Sequence, residues 1–135
     1  MPRSALYKNI MRKKPNILLT DDEDTFRNIM AKELTRMGYN VVSCASGSET
    51  INTLHERDFD VVILDMNMPV MGGIETLKRV KEMEPTTEVI VLTGQGSIES
   101  AVQAIKSGAY DYLTKPCRLS ELDALLQKAL EKRQL

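Results

Sequence analysis

The chain has 135 residues, 42% apolar and 27% charged, the size and make-up of one globular domain able to bury its own core. Lys and Arg total 18 against 19 Asp and Glu, a formal net charge of −1, and aromatics are 4% with no Trp. That gives no electrostatic draw toward nucleic acid and no stacking platform for bases. No apolar run approaches the ~20 residues of a membrane-crossing helix, and the basic N-terminus lacks the apolar core of a secretory leader. Cys44 and Cys117 stand in neither a metal-ligand spacing nor a disulfide framework. Both are expected as free thiols in a cytoplasmic protein.

In chain order, residues 1–14 carry Lys8, Arg12, Lys13 and Lys14 with no apolar pattern and read as a mobile, solvated tail. Residues 15–132 read as the folded domain, and 133–135 as a tail or the start of a linker. Asn16-Ile17-Leu18-Leu19-Thr20 is a short apolar run of the kind that forms a strand buried on both faces. Asp22 to Met37 reads as a helix, with Phe26, Ile29, Met30, Leu34 and Met37 at helical spacing and Gly38 as the stop. Val41–Cys44 is a second strand. Ser46 is the expected N-cap of a helix to Arg57, with Ile51 and Leu54 inward. His55, the one histidine, sits on a mixed face and reads as solvated.

Val61–Leu64 is the most apolar strand and runs into Asp65-Met66-Asn67-Met68-Pro69 and Gly72-Gly73, a turn-rich loop. Ile74, Leu77 and Val80 mark a third helix that ends near Pro85. Val89–Leu92 is a fourth strand, followed by the loop Thr93-Gly94-Gln95-Gly96-Ser97, with Ser97 a candidate N-cap. Ile98, Ala101, Val102 and Ile105 form the next stripe, Tyr110–Thr114 a fifth strand, and Leu119, Leu122, Leu125, Leu126 and Ala129 the last helix, expected to fray into Glu131-Lys132-Arg133. Five strict strand–helix repeats predict an α/β fold: a doubly wound, five-stranded parallel sheet of flavodoxin-like order 2-1-3-4-5. The eight methionines read as packing residues.

In such a sheet, functional groups gather beyond the carboxyl ends of the strands, at the switch point between strands 1 and 3. Strand 1 ends in Asp21-Asp22, strand 3 in Asp65, strand 4 in Thr93 and strand 5 in Lys115. Neighbouring strands lie about 4.8 Å apart, so carboxylates from strands 1 and 3 must converge. Converging carboxylates repel unless a cation neutralises them. An all-oxygen donor set suits Mg²⁺ or Mn²⁺ rather than Zn²⁺. An Asp in this setting can act as a nucleophile toward phosphorus, while Mg²⁺ and Lys115 supply charge and the Thr93 hydroxyl donates to a phosphoryl oxygen. Each motif alone reads more simply as a helix cap or a turn. It is the arrival of all five groups at one edge that points to chemistry.

Over Pro15 to about Lys132 the chain resembles the receiver domain of bacterial two-component response regulators. Thr20-Asp21-Asp22-Glu23, Leu64-Asp65-Met66-Asn67-Met68-Pro69, Leu92-Thr93-Gly94 and Tyr112-Leu113-Thr114-Lys115-Pro116 carry the resemblance. It implies Asp65 as phospho-acceptor from a histidine kinase, and Mg²⁺ held by Asp22, Asp21, Asp65 and the backbone carbonyl of Asn67. It further implies phosphoryl oxygens held by Thr93 and Lys115, a cis peptide before Pro116, and Tyr112 as a switch aromatic that fills the space Thr93 leaves. Asn67 and Gln95 fall where receivers tune hydrolysis of the acyl phosphate. The stretch from Leu92 to Pro116 resembles receivers of enhancer-binding transcription activators of the nitrogen-regulation type. That implies phosphorylation-dependent pairing through the fourth and fifth helices, and a downstream effector.

The competing readings are a Mg²⁺-dependent aspartyl-phosphate phosphatase and a non-phosphorylated pseudo-receiver. The first needs a second Asp two residues after the nucleophile, where this chain has Asn67. The second must treat the intact five-group set as coincidence.

Overall fold

The structure is a computed structural model that describes residues 14–94 and 97–134. Most of the expected tail, Lys8, Arg12 and Lys13 included, and Gln95 and Gly96 lie outside the described residues. Among the described residues, five strands, β1 (Asn16–Thr20), β2 (Asn40–Cys44), β3 (Val61–Asp65), β4 (Glu88–Thr93) and β5 (Asp111–Thr114), alternate with five helices. The helices are α1 (Asp24–Arg36), α2 (Gly47–Glu56), α3 (Gly73–Met83), α4 (Ile98–Lys106) and α5 (Leu119–Gln134). All pairings are parallel and the order is β2-β1-β3-β4-β5, as the alternation predicts.

Side chains of a strand alternate between faces, so each central strand feeds two cores. Leu18, Val62, Leu64, Val89 and Val91 point to the side covered by Ile51 and Leu54 of α2, Leu77 and Val80 of α3 and Ala104 of α4. Ile17, Leu19, Val61, Ile63, Ile90 and Leu92 point to the side covered by Met30 and Leu34 of α1 and Leu122, Leu126 and Ala129 of α5. Burial on both faces is the reason these strands read as unbroken apolar runs. β1 and β3 are neighbours, with Thr20 opposite Leu64. The two strand ends that carry the acids are therefore adjacent.

Local details depart from the expected pattern. The first helix begins at Asp24 rather than Asp22, and Ile29 and Met37 face solvent. Its buried stripe is Met30 and Leu34, with Phe26 and Ala31 packed beside them. Ser46 caps α2 as expected, its hydroxyl accepting from the Glu49 N–H at 3.1 Å, whereas Ser97 precedes α4 without a side-chain cap bond. On α4 only Ala101 and Ala104 are buried, while Ile98, Val102 and Ile105 are exposed. His55 is exposed, as expected.

The last helix does not fray at Glu131–Arg133 but continues to Gln134. Arg133 donates to Asp60 Oδ1 at 3.0 Å and to the carbonyl and hydroxyl oxygens of Thr86, and Lys132 pairs with Glu88 at 3.4 Å. Asp60 also accepts from the Asn16 N–H at 2.8 Å, so one carboxylate ties the start of β1 to the end of α5.

Candidate functional site

The site is assembled from chain segments that leave the sheet at its carboxyl edge. The backbones there are held first. Asp21 N–H donates to the Cys44 carbonyl at 3.1 Å, Met66 N–H to Leu92 at 3.0 Å and Lys115 N–H to Thr93 at 2.7 Å. Asp21, Lys115 and the residue after Asp65 are thus pinned to the end of a neighbouring strand, which fixes where the site side chains start.

Asp21, Asp22 and Asp65 each offer one carboxylate oxygen, and these oxygens lie within 4.8 Å of one another. Asp21 and Asp65 are buried and Asp22 is exposed, which leaves the cluster open on one side. Lys115, from the loop after β5, donates to Asp21 Oδ2 at 2.6 Å and stands 3.9 Å from Asp65 Oδ2. The Lys115–Pro116 peptide is cis. Thr93, the last residue of β4, is buried one residue beyond Leu92, which pairs with Asp65.

Asn67 donates its N–H to Asp65 Oδ1 at 3.1 Å, and its side-chain amide nitrogen would stand 3.3 Å from a Cβ placed on Gly94. The acids of strands 1 and 3 and the amine of strand 5 are thus together, with Thr93 at the adjoining strand end. Gln95 lies outside the described residues. Tyr112 is 43% exposed and lines an open groove together with Ile98, Ala101, Val102 and Ile105.

Asp65 is 3% exposed, and burial pushes its carboxyl up to about 6 from the ordinary 3.8. The Asn67 N–H and Lys115 pull it down, and the negative charges of Asp21 and Asp22 push it up. Burial also pulls the Lys115 ammonium down, but the hydrogen bond to Asp21 and the charges of Asp65, Asp21 and Glu23 outweigh it, and the net is a rise. The site therefore holds more negative charge than one lysine balances. Oxygen-only donors with an open side fit a hard divalent cation.

Two residues that the sequence reading left out of the site belong to it. Arg27 donates to the Asp21 backbone carbonyl at 2.8 Å and pairs with Asp24 at 2.7 Å, fixing the turn between β1 and α1. Phe26, expected only as core, places its ring centroid 4.3 Å from Lys115 Nζ. The spacing of Asp24 and Arg27, three residues apart on a helix, was a signal for their pairing. No local signal relates Phe26 to a lysine in another element.

A model of the response regulator receiver domain matches residues 17–127. Transcriptional regulatory protein ZraR of Escherichia coli O157:H7 is 42% identical over 115 residues, covering 85% of this chain and 26% of that protein. Regulatory protein AtoC of Escherichia coli K12 is 36% identical over 115 residues, again 85% of this chain and 25% of that one. Among solved structures, NtrX from Brucella abortus in complex with ADP superposes with a TM-score of 0.86 at 29% identity, covering 90% of this chain and 28% of that chain. A response regulator receiver domain protein from Clostridium thermocellum gives a TM-score of 0.85 at 34% identity, covering 89% and 97%. The chain spans about a quarter of the length of the two curated relatives it is compared with here.

Proposed function

The chain belongs to the response regulator receiver domain family, and on that premise we propose that Asp65 accepts a phosphoryl group from the phosphohistidine of a histidine kinase. The observation that carries this reading is the buried Asp65 carboxylate, with two further acids within 4.8 Å and an ammonium at 3.9 Å. A nucleophile flanked by acids needs cations beside it before an anionic phosphoryl group can approach.

Asp21, Asp22 and Asp65, with the backbone carbonyl of Asn67, are the residues that would hold Mg²⁺, or Mn²⁺ in its place. Such an ion, when bound, supplies the charge neutralisation that one lysine cannot. The remaining work falls to the chain's own groups. An Asp65 carboxylate oxygen forms the new bond to phosphorus as the phosphorus–nitrogen bond of the donor breaks, and that electron pair returns to the imidazole. Lys115 transfers its hydrogen bond from Asp21 to a phosphoryl oxygen. The Thr93 hydroxyl donates to another. Asn67 and Gln95 govern the approach of hydrolytic water.

The readout follows from packing. As Thr93 moves toward the phosphoryl group, the Tyr112 ring turns inward from its exposed position, and α4, β5 and α5 repack. That face then controls pairing with a second copy or an attached effector. In keeping with the transcriptional regulators to which the chain is similar, the output is regulation of transcription in the cytoplasm, carried out by another domain or protein. No helix among the described residues is long and apolar enough to cross a membrane.

The test is incubation with acetyl phosphate, with and without Mg²⁺, read by intact mass. A single phosphoryl adduct that requires Mg²⁺ and vanishes in Asp65→Asn is expected. An adduct that persists in Asp65→Asn, or no adduct in the wild type under saturating donor, refutes the assignment.

A further inference from the structure

Lys115 does not rest on carboxylates alone. Its Nζ hydrogen-bonds Asp21 at 2.6 Å, stands 3.9 Å from Asp65, and lies 4.3 Å from the centroid of the Phe26 ring. Phe26 is in the first turn of α1, four residues after Asp22, and is half-buried against the core shared by α1 and α5. The ammonium is therefore bounded by two carboxylates and an aromatic ring, with its side chain only 21% exposed.

We propose that Phe26 is a positioning residue for phosphoryl transfer: its ring is the floor on which the Lys115 ammonium is held and across which it passes from Asp21 to a phosphoryl oxygen on Asp65. The proposal rests on the reading of Asp65 as acceptor. An ammonium taken largely out of water must recover its lost solvation from its neighbours. A carboxylate does so through a directional hydrogen bond, which anchors the lysine in one place. The face of an aromatic ring does so through its quadrupole, an attraction felt over that face out to about 6 Å from the centroid and requiring no particular N–H direction. A floor of that kind keeps the charge supported while the hydrogen-bond partner changes. An aliphatic side chain of similar bulk would fill the same space but leave the ammonium unsupported during the exchange.

The substitutions Phe26→Leu and Phe26→Met keep an apolar helix-forming residue but remove the ring, whereas Phe26→Tyr keeps the ring face. Each is compared with wild type for the rate of acetyl-phosphate labelling in Mg²⁺, for far-UV circular dichroism, and for the proton resonances of the Lys115 ε-methylene, which a ring beneath the ammonium shifts upfield. The expected result is a labelling rate about three- to tenfold lower in the Leu and Met variants at unchanged circular dichroism, with wild-type rate in the Tyr variant. The upfield shift is expected in wild type and Phe26→Tyr and lost in the other two. Labelling at the wild-type rate in both ringless variants overturns the proposal. So do Lys115 resonances that do not move in them, since these show that no ring lies under the ammonium even if the protein is phosphorylated. A wild-type protein that takes no phosphoryl group overturns the Asp65 reading instead, and the resonances still report separately on the contact.

Discussion

Replacing Asp65 with asparagine should raise the stability of the metal-free domain at neutral pH, although it removes the residue proposed to carry the chemistry. Asp65 is buried, and its carboxyl is raised from 3.8 to about 6 by that burial, with the neighbouring acids adding to the effect. The unfolded chain titrates near the ordinary value. Between about pH 4 and pH 6 the unfolded chain has lost this proton while the folded one keeps it. The unfolded state is favoured as pH rises through that window, and the deficit is complete above about 6.

A rise from 3.8 to about 6 corresponds to at most about 3 kcal/mol. An asparagine carries the cost of its own buried amide, so a net gain of about 1–2 kcal/mol is expected at neutral pH. That is roughly 3–10 °C in melting temperature for a domain of this size.

Thermal melts by circular dichroism in chelator, at steps from pH 4 to pH 8, measure it. Asp65→Asn should be no more stable than wild type at pH 4, gain on it through pH 5 and hold a constant lead above about pH 6. Added Mg²⁺ should lift the wild type and close the gap, because an ion bound only by the folded state stabilises it by RT ln(1 + c/Kd), where c is the free Mg²⁺ concentration. A gap of equal size at pH 4 and pH 8, or an Asp65→Asn protein less stable than wild type at pH 7.5 in chelator, would refute the reasoning.

At the far end of the sheet, Arg133→Ala should cost about 1–2 kcal/mol in urea unfolding, because Asp60 and Thr86 lose a partly buried partner. It should leave phosphoryl labelling unchanged and speed hydrogen exchange in the last turn of α5. A Cβ at Gly47 would collide with Thr76 Oγ1 and crowd Met71, so Gly47→Ala should destabilise by about 2 kcal/mol, read from the shift of the urea midpoint. Val70 is fully exposed and holds φ at 65°, a left-handed conformation costly for a β-branched residue. Val70→Gly should therefore stabilise by about 1 kcal/mol in the same assay.

The sequence by itself determined the architecture and the membership of the acid–amine cluster. Strands covered on both faces leave runs such as Val61–Leu64 that no other element produces so cheaply. A parallel sheet sends the residues after each strand to one edge, so Asp21, Asp22, Asp65, Thr93 and Lys115 could be assigned to a common end without coordinates. The tertiary structure decided which apolar side chains had anything to pack against. Ile98, Val102 and Ile105 match a helical stripe, yet α4 covers the sheet beside its edge strand, where only Ala101 and Ala104 are buried. Arg133, read as tail, is held because the end of α5 meets Asp60 and Thr86 from distant segments.

The same holds inside the site. Lys115 hydrogen-bonds Asp21 and lies over Phe26, with Asp65 farther off. Such a choice among partners depends on side-chain torsions and on separations such as 2.6 Å against 3.9 Å, set by elements packed together. A one-dimensional pattern encodes which faces are apolar and which ends carry charge. It does not encode the distances that choose among partners of equal chemistry.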